Sequence, residues 1–380
     1  MKNTTIRVLT VASGAALLLA ASSASALEIK TGSDKVDVKL YGQIDRAVMY
    51  ADNGDDSKFF HVDNNNSSTR IGVKGTVKAT DALTVGSNLE LEWKANSSDK
   101  VSMDEETIDG EFTDRLVEIY FASKNAGTLS LGKGKMASED TSEVDLSGTD
   151  LAGMSGVYKV GGGIGFYDAA PTASTEEEAD DALAVEDVFT NMDGFGKKNR
   201  IRYDTPSVAG FSIAASTGEE SVNDVSLLYA NELPGGTKLA GALAWADGGD
   251  SKDYSQINGS VSVLFPRGLN FTFASGTRDL DKMADGGDDP TFMYGKIGYI
   301  CPQLFTVGST ALSVDYGVSE NIKHQNTDEK GTAYGVQLVQ KLSNWNTELY
   351  AAYHNFELED NTSADYDDIT VGMAGARLKF

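Results

Sequence analysis

The sequence predicts an all-β chain: a sixteen-stranded antiparallel transmembrane β-barrel with a long third loop folded into the lumen. Three observations carry this. Segments of about ten residues alternate apolar and polar side chains along the chain. No stretch beyond the N-terminus approaches the ~20 apolar residues that a membrane helix needs. The connections sort by order into two classes, one short and the other mostly longer and acidic.

The first element is a leader. Lys2 and Arg7 supply positive charge, Val8–Ala21 is apolar, and Ala24-Ser25-Ala26 fits a small-x-small cleavage site. Residues 1–26 therefore read as a signal peptide and 27–380 as one barrel domain. The chain carries 40 glycines, six prolines and one cysteine, Cys301, so no internal disulfide is possible. Closure of a sheet is the alternative source of stability, because it removes unpaired edges. A net charge of −25 argues against nucleic acid as a partner.

The strands follow in order. Val36–Tyr50 places Val36, Val38, Leu40, Ile44, Val48 and Tyr50 on one face, with Arg46 as a charged exception there. In 69–77, Ile71, Val73 and Val77 oppose Arg70, Gly72, Lys74 and Thr76. In 83–93, Leu83, Val85, Leu89, Leu91 and Trp93 oppose Thr84, Asn88, Glu90 and Glu92. Further strands read near 113–123, 128–135, 199–205, 210–217, 222–231, 237–247, 254–265, 268–278, 291–300, 309–318, 331–342, 346–358 and 368–380. In Asn199–Ser216, Arg200 and Arg202 share one face and Ile201 and Tyr203 the other, before Pro206 breaks the run. Taken alone, that hairpin also fits the surface of a soluble β-protein. The whole set favours apolar faces toward lipid and arginines toward a water-filled lumen, since a soluble sandwich has no reason to sort its loops by parity.

The short connections lie around Ala79–Ala82, Asn125–Gly127, Pro206–Ala209, Glu232–Gly236, Pro266–Arg267 and Ser343–Trp345. The long ones include Ala51–Ser67, Asn96–Phe112, Asp279–Pro290, Asn321–Lys330 and Glu359–Asp367. Residues 136–198 stand apart, since loops beyond about 15 residues are usually functional or disordered. Met136–Gly163 is expected to narrow the barrel mouth, GVYKVGGGIGFY (Gly156–Tyr167) to form a small hairpin, and Pro171–Leu183 to be an external insertion.

Five stretches together resemble the general diffusion porins of Gram-negative outer membranes, particularly the alphaproteobacterial kind. They are KLYGQID (Lys39–Asp45), STRIGVKGT (Ser68–Thr76), GTLSLGKG (Gly127–Gly134), DGFGKKNRIRYDTPSVAGFS (Asp193–Ser212) and a last strand ending on Phe380. The resemblance implies a homotrimer in the outer membrane, contacting lipid and lipopolysaccharide, with periplasmic termini and passive diffusion of small hydrophilic solutes. Phe380, with Leu378 before it, resembles the signal read by the barrel-assembly machinery. The family sets wall cations against acids of the inward loop. By position these are Arg70 and Lys74, with Arg200 and Arg202, facing Glu139, Asp140, Glu143, Asp145 and Asp150. Gln43 stands where some members carry lysine. Arg115 shares parity with Val117, Ile119 and Phe121, the lipid face, unless a bulge shifts its register. The acidic loop leads to an expectation of mild cation selectivity, although each acid alone also fits a solvated external loop.

No catalytic constellation, metal site or cofactor motif is expected. His61 and His324 fall in loops and His354 in a strand. Gly127–Gly134 mimics a phosphate loop but lacks its Ser/Thr and following helix, and Gly161–Gly165 has no following helix. The competing readings are a substrate-specific channel, a structural or adhesive outer-membrane β-protein, and a lumen hydrolase built on His354.

Overall fold

The computed structural model describes residues 27–29, 33–169, 183–283, 286–362 and 364–380. The expected signal peptide and most of Pro171–Leu183 lie outside the described residues. The strands are β1 (Leu27–Ile29), β2 (Val36–Asp52), β3 (Ser57–Val62), β4 (Arg70–Lys78), β5 (Leu83–Lys94), β6 (Glu111–Ser123), β7 (Gly127–Lys135), β8 (Lys197–Asp204) and β9 (Phe211–Gly218). They continue as β10 (Asn223–Glu232), β11 (Lys238–Asp247), β12 (Tyr254–Leu264), β13 (Leu269–Leu280), β14 (Thr291–Phe305), β15 (Gly308–Glu320), β16 (Lys330–Leu342), β17 (Thr347–Glu359) and β18 (Ile369–Lys379). All β2–β18 ladders are antiparallel between sequence neighbours, except that β2 also pairs β4 and closes the ring with β18. β1 is a three-residue addition to β2, and β3 and β4 share one place beside β2, which leaves sixteen positions around a closed barrel.

The barrel is polar inside and apolar outside. Along β12, Gln256, Asn258, Ser260 and Ser262 are buried while Ile257 and Val261 are exposed. The same inversion places Ile201, Tyr203, Phe211 and Ile213 outward and Arg200, Arg202, Ser212 and Ser216 inward. Water outside would make this arrangement unstable, whereas lipid makes it favourable. Inward tyrosines cover glycines on neighbouring strands: Tyr41 over Gly72, Tyr120 over Gly86 and Tyr350 over Gly375. These rings fill space where the glycine has no side chain.

Two sequence exceptions have structural causes. Between β3 and β4, residues 63–69 replace what continuous pairing against Ile44–Arg46 would need, so the wall strand breaks and the segment turns inward. Arg46 stays on the outer face and donates to Ala95 O (3.0 Å) and His61 O (3.3 Å) at that break. In β6, Glu90 pairs with Leu116 but Leu91 with Asp114, so Arg115 is the extra residue of a bulge. The bulge turns Arg115 to the lumen despite its parity. Between strands seven and eight, the expected Gly156–Tyr167 hairpin does not form. Val157–Lys159 is a single 3₁₀ turn, and Gly165 bridges Ala184 instead of a strand within the segment. Gly161, Gly162 and Gly163 let the chain coil against Ser98–Val101, and Gly161 needs φ +79°. A four-residue helix, α1 (Val185–Val188), closes the loop's inner part.

Candidate pore constriction

The long loop leaves β7 and runs along the inner wall. Its backbone is caught in turn by side chains of successive strands. Ala137 N donates to Ser216 Oγ (2.8 Å) and Ser138 N to Asp224 Oδ2 (2.8 Å). Val144 N and Leu146 N donate to Ser260 and Ser262 Oγ, both at 2.9 Å. Thr149 Oγ1 meets Ser313 Oγ at 2.7 Å, and the Asn64 amide donates to Leu151 O (2.8 Å). The small polar residues that alternate along β9–β15 are thus the binding track of the loop, which satisfies backbone groups that a buried segment would otherwise leave unpaired.

Beyond Leu151 the loop makes a dry core inside the barrel. Leu151, Val157, Val160, Ile164, Phe166, Val185, Val188 and Phe189 pack with Met49, Ala51, Phe60, Phe292, Phe356, Val371 and Met373. Inward positions of the wall become apolar at these strand ends. That change from polar to apolar parity is written in the sequence of these strand ends.

The wall left uncovered by the loop carries the cations. Arg70 lies 3.9 Å from Glu90 and donates to Ser67 Oγ (2.8 Å). Arg115 bonds Glu90 (2.9 Å) and Glu92 (2.6 Å). Arg377 bonds Glu348 (2.5 Å) and reaches the same Ser67 Oγ (2.6 Å). Lys74 is exposed, with its ammonium 4.8 Å from the Tyr41 ring centre. Gln43, the position noted for lysine, instead holds the Ser67 and Ser68 carbonyls, both at 2.8 Å. Arg377 and the partner glutamates were not singled out from sequence, because only the closed sheet brings β18 beside β2.

Arg200 and Arg202 are inward but turned to the root of the loop. Arg200 bonds Glu118 (2.5 Å) and Lys135 O (3.0 Å). Arg202 bonds Asp204 (2.8 Å) and Met136 O (2.7 Å). The loop acids are also mostly partnered. Glu139 pairs with Lys197, Asp140 with Lys135 and Glu143 with Lys159. Asp145 meets Lys296 at 2.8 Å behind the loop, against the opposite wall. Asp150 is half-buried. Burial alone would raise the Asp140 carboxyl, but the Lys135 ammonium overrides it and holds the group down at about 2. Carboxylate oxygens of Asp140, Glu143 and Asp193 come within 4.8 Å of one another. Burial, and then the neighbouring Glu143 and Asp140 charges, push the Asp193 carboxyl well above its usual range. His354 is buried beside Gly153 and Phe356, and no serine hydroxyl bonds its ring among the described residues.

No curated protein sequence matches the chain. Solved structures share its fold at low identity. OmpT of Vibrio cholerae, as a loop L8 deletion mutant, aligns with a TM-score of 0.58 and 14% identity over 91% of this chain and all of its own. An anion-selective porin from Comamonas acidovorans gives 0.58 and 17% over 91% of this chain and 100% of that one. Salmonella typhi OmpF, solved with daunomycin, gives 0.56 and 14% over 93% and 100%. The family model for Gram-negative porins matches residues 12–361. The closed barrel, with its apolar outer face, polar inner face and third loop along the inner wall, agrees with that match, and the chain belongs to the Gram-negative porin family as an outer-membrane channel protein.

Proposed function

We propose that the channel passes small hydrophilic solutes and ions by passive diffusion, with a mild preference for cations. The observation that carries the reading is the uncovered wall, where Arg70, Arg115 and Arg377 interleave with Glu90, Glu92 and Glu348 opposite the inward loop. Charges of both signs on one narrow surface orient polar solutes, while apolar ones lose hydration and are excluded. On this reading Arg70, Arg115 and Lys74 face the solute, while the buried Arg377 holds Glu348 and Ser67 behind them. Arg200 and Arg202 act through the loop root they hold.

Because the acids Glu139, Asp140, Glu143 and Asp145 each have a lysine partner, the cation preference is assigned to the outer mouth. There the segment 102–111 alone exposes Asp104, Glu105, Glu106, Asp109 and Glu111. Homotrimeric assembly is part of the proposal, supported by a trimer form of OmpT of Vibrio cholerae at 15% identity. So are cleavage after Ala26, contact with lipopolysaccharide, and recognition of Phe380 by the assembly machinery. The test is single-channel conductance and reversal potential in a planar bilayer under a salt gradient. Ohmic steps in threes with a cation-leaning reversal support the proposal, and an anion-leaning reversal at low salt overturns the selectivity. The dry core filling part of the mouth favours one second reading, a channel for a particular small solute. Saturable block by one solute would establish that instead.

A further inference from the structure

We infer that Lys296 is the pin that sets the aperture, by holding the loop apex against the wall opposite Arg115. The inference rests on the channel reading above. β14 and β6 lie eight positions apart in either direction around the sixteen-position ring, so Lys296 is diametrically opposite Arg115. Its ammonium takes three acceptors from the loop: Asp145 Oδ2 at 2.8 Å, Gly153 O at 2.7 Å and Thr149 Oγ1 at 3.3 Å. An ammonium has three donors, so the loop satisfies all of them. The side chains of Lys296 and Asp145 are 0% and 4% exposed, which leaves water no part in the pairing. Asp145 is further fixed by Ser147 N (2.7 Å) and Thr272 Oγ1 (3.2 Å).

Charged anchors also hold the loop root, at Glu139–Lys197, Asp140–Lys135 and Ser138–Asp224, but along 141–153 the other wall contacts are neutral hydroxyl or amide bonds, each individually weak. The lysine contact differs because breaking it strands a charge in a dry site. Without the pin, residues 145–153 lose their strongest hold and can lean across the lumen toward Arg115. Lys296 is thus a positioning residue: it touches no solute and fixes the element that narrows the path.

The test compares the full-length protein with K296M, D145N and the double variant D145N/K296M. Heat-sensitive migration on a denaturing gel first shows that each barrel is folded. Two readouts follow: single-channel conductance with its open-state noise, and hydrogen exchange of backbone amides in 143–155. Each single variant strands one buried charge, and exchange in that segment should accelerate by at least about tenfold. Its channels should flicker between substates. The double variant strands no charge and should return both readouts most of the way to wild type. Single variants indistinguishable from wild type in both readouts would overturn the inference, and so would a double variant no better than K296M. If K296M does not fold, D145N against the double variant decides the same point. A wild-type protein that does not conduct would sink the channel reading, while the exchange comparison would still judge the pin.

Discussion

Replacing Arg115 with alanine tests whether the uncovered wall acts on ions. The change removes one positive charge from a group whose carboxylate partners keep other company. Glu90 retains Tyr41 (2.8 Å) and Arg70 (3.9 Å), and Glu92 retains Lys94 (3.2 Å). The barrel should therefore still fold, and the lumen becomes more negative by one charge. An ion passing about 8 Å from that charge in water feels about 0.5 kcal/mol. At 0.1 M salt the screening length is about 10 Å, which reduces this to roughly half. That is about 1.5-fold for each ion, in opposite directions, so the cation-to-anion permeability ratio should rise by about twofold. At 1 M salt the length is about 3 Å and the effect should nearly vanish. R115K keeps the charge and should stay close to wild type. The assay is reversal potential under a fixed gradient at the two salt levels. No shift, a shift toward anions, or an equal shift at 1 M would refute the placement of Arg115 in the ion path.

Two further outcomes are expected. The Asp140 carboxyl is held down at about 2 from its usual 3.8, so its contribution to loop docking is complete above 3.8 and lost as pH falls toward 2; pepsin should begin to cut the 136–150 segment in that window, and D140N should lose the acid-dependent step. Gly42 pairs with Phe380 at the closing seam (2.9 and 3.0 Å), and a Cβ there would stand 2.6 Å from the Phe380 ring and 2.8 Å from Arg70 O. G42V should cost about 1–3 kcal/mol by overpacking and reduce the heat-sensitive folded band, whereas wild-type levels of that band would show that the seam can adjust.

The sequence alone determined the strands, the membrane and the direction of most side chains. The reason is that a strand's alternation is local: period two is written in neighbouring residues, and each short turn carries its own chemistry. Thus β2 and β4–β18 lie within a few residues of where alternation placed them, and the outward Ile201 and inward Arg202 follow from parity. The inward course of the loop was expected from its length and acids, but not the track that holds it.

Tertiary structure decided everything that depends on one strand meeting a distant one. Arg377 joins Arg70 at Ser67 only because β18 closes on β2. Arg115 turns inward only because the β5–β6 register slips by one residue, and parity has no means of registering a slip before the partner is known. In sequence the loop's acids are set against Arg70, Lys74, Arg200 and Arg202, whereas the fold pairs them with Lys135, Lys159, Lys197 and Lys296. A charge in sequence states its sign locally, but its field depends on what lies within a few ångströms, and that is fixed only when the barrel closes.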